Sequence, residues 1–194
     1  MSARQFKQYL RFISVGLILA GTDIRFAHAT SPWDVFASGN HVAIIRHALA
    51  PGYSDPDHFD LKNCKTQRNL NHEGRLQSEQ IGALFRLNGI SQAIVYSSQW
   101  CRCLETAALL DFGEVIELPV LNSFFENFER KDAQTQELRR WMNEASLKAP
   151  TILITHQVNI LALTGYSASS GEIIFVRRDP NNALTVIGSV STLN

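Results

Sequence analysis

The sequence predicts an α/β protein, a three-layer α/β/α sandwich around a mostly parallel sheet, and three observations predict it. Short apolar runs alternate with segments of helical periodicity along most of the chain. The runs are apolar throughout rather than alternating, as strands covered on both faces are. Polar residues capable of chemistry follow these runs at their carboxyl ends, the edge at which α/β proteins bind ligands.

The chain has 194 residues, 45% hydrophobic and 19% charged, a composition that suits one globular domain. That domain is expected over residues 30–194. The first 29 residues read as a secretory signal instead. Arg4, Lys7 and Arg11 form a basic start, Phe12 to Ala20 an apolar core, and Ala27-His28-Ala29 a small-residue junction with cleavage expected after Ala29. The apolar core is about ten residues, where a spanning helix needs about 20. A cleaved signal is therefore expected rather than an anchor, with no stable membrane insertion afterwards and a periplasmic or secreted location.

Arg4, Lys7, Arg11 and Arg25 leave with that segment, against Asp23 alone. Of 18 bases and 18 acids, 14 and 17 remain, a net charge of −3, which offers no footprint for nucleic acid.

Taken in order, 33–39 is a partly apolar lead-in and 41–46 the first strand. Residues 48–73 carry Pro51, Gly52, Pro56 and several Asp and Asn without periodicity, which is loop chemistry. A loop this long in a compact domain is usually functional. A helix follows over 73–87, with Ile81, Leu84 and Phe85 on one stripe, Gln77, Glu79 and Gln80 opposite, and Gly89 ending it. The next elements are a strand over 93–96, a helix over 100–110, a strand over 115–120 and a helix over 133–147 stopped by Pro150. Then come a strand over 151–155 and a short helix over 158–163 closed by Gly165. Two β-rich runs, 172–178 and 184–190, flank the turn Asp179-Pro-Asn-Asn182 and pair as a hairpin.

Placed on this frame, Arg46 and His47 follow the first strand, Arg102 the second, Glu126 the third, and His156 the fourth. In a parallel sheet they converge on one rim. Their chemistry suits phosphoryl transfer. Guanidinium groups grip phosphate oxygens, a neutral imidazole is a nucleophile near pH 7, and a protonated carboxyl can serve a leaving alkoxide.

Arg46-His47, the run from Tyr96 to Ala107 containing Arg102, and Ile154-Thr155-His156 resemble the histidine phosphatase superfamily, which includes phosphoglycerate mutases and acid phosphatases. Thr66 to Arg75 resembles the family's lead into its first helix. The resemblance covers about residues 41–165 and implies a phosphoglycerate mutase-like fold. It further implies that His47 is the phosphorylated nucleophile and that Arg46, Arg102 and His156 bind the phosphoryl oxygens. The acid would be Glu126, with Glu129 and Asp132 as the nearby alternatives. Ala48, Gln99 and Gln157 stand where the family usually has Gly, Pro and Gly. The insertions that hold a phosphoglycerate are lacking, so the implied activity is a metal-independent phosphatase without cofactor, acting on a small phosphomonoester. A phosphohistidine-protein phosphatase and a noncatalytic phospho-ligand binding module are the alternatives.

Arg68 and Gln157 are further candidates for substrate contact, Gln157 and Asn159 lying at the start of a helix where amides favour an anion. Asp55, Asp57, His58 and Asp60 read as a solvated loop rather than a metal site. Phe124, Phe125 and Phe128 read as core packing, with a pocket wall as the second use. Ser167 lacks the glycine spacing of a nucleophile elbow, and no Cys-x5-Arg loop exists. In an oxidising compartment Cys64 could bridge to Cys101 or Cys103. On a helix these two point about 200° apart, so only one can face Cys64.

Overall fold

The computed structural model describes residues 31–181 and 183–193. The basic and apolar N-terminal segment and its Ala29 junction lie outside them.

Ser31 caps the first helix, α1 (Pro32–Ala37), accepting from the Trp33 amide, and Pro32 supplies a preset φ at the first helical position. Strand β1 (His41–Arg46) follows, then an irregular stretch to Asn71 with one 3-10 turn at Cys64–Thr66. Helix α2 (His72–Leu87), β2 (Ile94–Ser97), α3 (Cys101–Leu109) and β3 (Val115–Glu117) come next. Helix α4 (Lys131–Glu144), β4 (Thr151–Thr155), α5 (Gln157–Thr164) and the hairpin β5 (Ile173–Arg178) and β6 (Leu184–Val190) complete the chain.

The six strands form one sheet in the order β3-β2-β4-β1-β5-β6. The first four are parallel, and β5 pairs antiparallel with both β1 and β6. The sheet is thus mostly parallel, as read from the sequence, with antiparallel pairing confined to one edge, and its four-stranded parallel part carries the site.

Side-chain alternation along β1 shows the three layers. Ala43 and Ile45 pack with Trp33, Phe36, Ile81, Phe85 and Ala107 from α1, α2 and α3. Val42 and Ile44 pack with Leu138, Met142, Ile160 and Leu163 from α4 and α5. A strand covered on both faces has no polar position, which is why 42–45 is wholly apolar. Among the described residues no helix is long and apolar enough to cross a membrane.

Most element ends shift by one or two residues from the sequence expectation, and two fall three residues short of it. Strand β3 stops at Glu117, because Pro119 has no amide to donate and the chain turns through a 3-10 turn at Pro119–Leu121. Helix α4 stops at Glu144, where Nη1 of Arg178 takes up the carbonyls of Met142, Asn143 and Ala145 at 2.8, 2.9 and 3.1 Å. Gln77 is also not on a solvent face: it is buried. Its Oε1 accepts from the Leu49 amide and its Nε2 donates to the Ser170 carbonyl, bracketing the loops on either side of the site. Gly74 permits this approach, since a Cβ there would lie 2.1 Å from the Leu49 carbonyl oxygen.

Candidate active site

Because β1, β2, β3 and β4 are parallel, their carboxyl ends share one edge. Arg46 is the last residue of β1, Arg102 lies in the first turn of α3 beyond β2, and His156 caps α5 directly after β4. Arg46, His47, Arg68, Arg102, Glu126, His156 and Gln157 all line one cavity of about 210 Å³. Glu129 and Asp132 lie outside its lining.

His47 is 2% exposed, and its Nδ1 lies 2.8 Å from the carbonyl oxygen of Ala48. A carbonyl can only accept, so Nδ1 carries the proton and Nε2 keeps its lone pair. Among the described residues Nε2 has no hydrogen-bond partner. Burial holds the His47 pKa well below its ordinary 6.5, with the positive charge of Arg102 acting in the same direction. The imidazole is therefore neutral at pH 7. Ala48 in place of glycine costs nothing here: its φ is negative, and its amide donates to Thr106 Oγ1 at 3.0 Å.

His156 stands 5.5 Å from His47 between ring centroids. Its Nε2 is 2.8 Å from Ser98 Oγ, whose hydroxyl faces Asn122 Oδ1 at 3.2 Å, and its Nδ1 faces Nη2 of Arg102 at 3.4 Å. Arg102 can only donate, so this ring holds its proton on Nε2 and passes it toward Ser98. Burial, then the charge of Arg102, keeps His156 neutral as well. The arrangement differs from the phosphate-donating role expected for His156, since neither nitrogen presents a proton to the cavity here.

Three guanidinium groups meet at the floor. Arg46 Nη1 donates to the Ala168 carbonyl at 3.0 Å, Arg68 Nη1 to the Ala50 carbonyl, and Arg102 Nη1 to Asp55 Oδ1 at 2.7 Å. The Nε of each is buried without a partner, as suits donors waiting for an anion. Their mutual repulsion is visible in Arg68, whose pKa burial and the charge of Arg102 push down to about 10, still a cation at neutral pH.

Asp55, like Arg130, is one of the lining residues that sequence reasoning missed. Its Oδ1 accepts from Arg102 and from the Arg68 amide at 2.9 Å, and its Oδ2 accepts from Trp100 Nε1 at 3.0 Å. An Asp-Pro pair in a polar loop carries no signal for this, because the partners lie in other segments. Among the described residues no group of three or more His, Cys, Asp and Glu side chains is placed to hold a metal.

The loop is also held covalently. Cys64 bonds Cys101, with 5.6 Å between the Cα atoms, beside Arg102 at the start of α3. Cys103 points the other way, fully buried, its Sγ 3.5 Å from His156 Nε2. Asn122 ties the opposite wall: Oδ1 accepts from the Gln99 amide at 2.8 Å, and its carbonyl accepts from Gln134 and Asn159 side chains at 2.6 and 2.9 Å. Glu126, exposed, follows on that segment. Gln99 and Gln157, at the other two variant positions, reach Asn122 and Ser167 respectively. Phe124 is core, while Phe125 walls the cavity and Phe128 is 55% exposed.

No family model matches the sequence, and no curated protein is similar to it. Solved structures are similar in fold. The protein histidine phosphatase SixA complexed with tungstate superposes with TM-score 0.60 at 18% identity, over 78% of this chain and 97% of that one. A mycobacterial glucosyl-3-phosphoglycerate phosphatase with vanadate gives 0.58 at 13%, over 77% and 98%. A phosphoserine phosphatase from Entamoeba histolytica with phosphoserine gives 0.55 at 14%, over 78% and 97%. The chain has the fold of the histidine phosphatases, the phosphoglycerate mutase-like α/β sandwich read from its sequence.

Proposed function

We propose that the protein is a phosphomonoesterase that works outside the cytoplasm through a phosphohistidine on His47. The observation that carries this is the Nδ1 proton of His47 fixed on the Ala48 carbonyl, which leaves an unprotonated Nε2 in a cavity lined by Arg46, Arg68 and Arg102, with Arg130 as a fourth guanidinium.

The phosphate dianion binds to the unpartnered Nε–H groups of Arg46, Arg68 and Arg102. His47 Nε2 attacks phosphorus, the N–P bond forms as the ester P–O bond breaks, and Glu126 gives its proton to the leaving alkoxide. The ring's developing positive charge is held by the Ala48 carbonyl at Nδ1. Water then attacks the phosphohistidine, Glu126 takes its proton, and phosphate leaves. The bound dianion also offsets the cations that keep His156 neutral, so His156 can take up a proton at Nδ1 and donate it to a phosphoryl oxygen. The chain's own cations neutralise the transferring group, so this route uses no metal.

The extracytoplasmic location is supported by the basic, apolar and small-residue order of residues 1–29 and by the Cys64–Cys101 disulfide, which persists in oxidising compartments. A small phosphomonoester is the substrate class. The likeness to SixA supports a second substrate, a phosphohistidine on a protein.

The test incubates the protein with an aryl phosphate in the presence of chelator and quenches during turnover. Acid-labile, base-stable phosphate on the protein is expected, and both it and hydrolysis should vanish in His47→Ala. Hydrolysis that survives His47→Ala rules the mechanism out. Amino-terminal sequencing of the exported protein should begin at Thr30.

A further inference from the structure

Beyond the cationic floor the same cavity is walled by rings that a phosphate group cannot use. Tyr53, from the loop after β1, stands edge-on to Phe125, from the segment after β3, with centroids 5.3 Å apart and planes at 82°. Tyr53 is 82% exposed, and Phe128, 6.1 Å from Phe125 and 55% exposed, continues the run of rings outward. Phe59 stacks on Trp100 at 5.1 Å and 23°, and Trp100 is fixed by its indole N–H on Asp55. Tyr53, Phe125, Phe59 and Trp100 all line the cavity.

An exposed run of aromatic faces beside a buried polar floor is the surface that a ligand with an apolar body covers. Each wall joins the loop after β1 to a segment distant in sequence, and each is an aromatic pair in a preferred edge-on or stacked geometry. Rings already ordered in this way lose little freedom when they meet a flat ligand.

We infer that the site takes phosphate esters whose alcohol carries a ring, held between the Tyr53–Phe125 and Phe59–Trp100 pairs while the phosphate sits on the arginines. This rests on the phosphatase reading and narrows its substrate class. A linear apolar alcohol would cover less of the two aromatic pairs, and a small polar alcohol would leave them wet.

Binding and turnover are read separately. Benzylphosphonate, hexylphosphonate and ethylphosphonate, which cannot be hydrolysed, are titrated calorimetrically into the full protein, and benzyl phosphate and ethyl phosphate, with similar leaving alkoxides, are compared in hydrolysis. Benzylphosphonate should bind about tenfold tighter than ethylphosphonate, from the apolar area it covers, and tighter than hexylphosphonate. Tyr53→Ala and Phe125→Ala should each shrink that preference, and Tyr53→Phe should keep it. Equal binding of the benzyl and ethyl compounds, hexyl binding as tight as benzyl, or a preference unchanged in both alanine variants overturns the inference. Absence of hydrolysis of both esters, with the phosphonate preference intact, would instead remove the phosphatase reading and leave the ring subsite standing.

Discussion

Asp55 Oδ1 lies 2.7 Å from Arg102 Nη1, so a loop residue reached from β1 fixes the cation that heads α3. Their side chains are 12% and 5% exposed, which puts the pair in a partly dry setting. Asp55→Ala should cost about 1–3 kcal/mol of stability, since it leaves Arg102 without its carboxylate partner and its Nη1 with only the Arg68 carbonyl at 3.3 Å. It should also lower kcat/KM by about tenfold or more as the guanidinium loses its orientation. Asp55→Asn, which keeps an acceptor oxygen, should lose less in both melting temperature and steady-state kinetics.

The same carboxylate gives an acid-side stability signature. Burial alone would raise the Asp55 pKa, but hydrogen bonds from Arg102 and the Arg68 amide outweigh it and bring the value below 3.8. A depressed folded pKa contributes stability that is present above the unfolded value and lost as pH falls through the folded one. The melting-temperature gap between wild type and Asp55→Asn should therefore be full above about pH 5 and close below about pH 4.

The two buried imidazoles give a second signature, nearer neutrality. Burial and then the charge of Arg102 hold both His47 and His156 well below 6.5. The unfolded chain binds protons below 6.5 that the folded chain does not, so stability falls as pH falls from 6.5 toward the folded values. Melting temperature measured between pH 7.5 and 5 should decline, less steeply in His156→Gln. The acid limb of kcat/KM, corrected for substrate ionisation, should lie below 6.5.

Glu126 lines the cavity, whereas Glu129 and Asp132 do not. Glu126→Gln should slow hydrolysis of alkyl phosphates by about 10²–10⁴-fold and affect aryl phosphates less, because good leaving groups need no proton. Glu129→Gln and Asp132→Asn should leave the alkyl-to-aryl ratio as it is. A ratio that moves with Asp132→Asn instead would transfer the role.

Crowded guanidinium groups should make the protein an anion-stabilised one. Orthovanadate at about 100 times its Kd should add about 2.7 kcal/mol, read as a rise in melting temperature. Arg68→Ala removes one of the cavity's cations and should weaken vanadate binding.

The disulfide ties the loop after β1, which carries Asp55 and Arg68, to the start of α3. Cys64→Ser with Cys101→Ser should lower stability by roughly 2–4 kcal/mol and reduce kcat/KM along with it. Native, unreduced protein should show no reactive thiol, because burial pushes the Cys103 pKa up to about 12. Ellman titration after unfolding without reductant should then count the single Cys103.

The sequence by itself determined the alternation of elements, because strands covered on both faces must be apolar and helices must be periodic. His41–Arg46 and Thr151–Thr155 have the bounds read from their residues alone. It also determined which residues sit at strand ends, and hence that Arg46, His47, Arg102 and His156 gather wherever those strands are parallel neighbours. Only the tertiary structure decided what faces those residues. Asp55 on Arg102, Ser98 on His156, Gln77 behind Leu49 and Tyr53 against Phe125 are pairings between segments with no local pattern. Periodicity records which side of an element is buried, through the repeated cost of wetting apolar surface. It records nothing of a single polar contact between two loops, whose partners become neighbours only once the sheet order β3-β2-β4-β1 has brought them to the same edge.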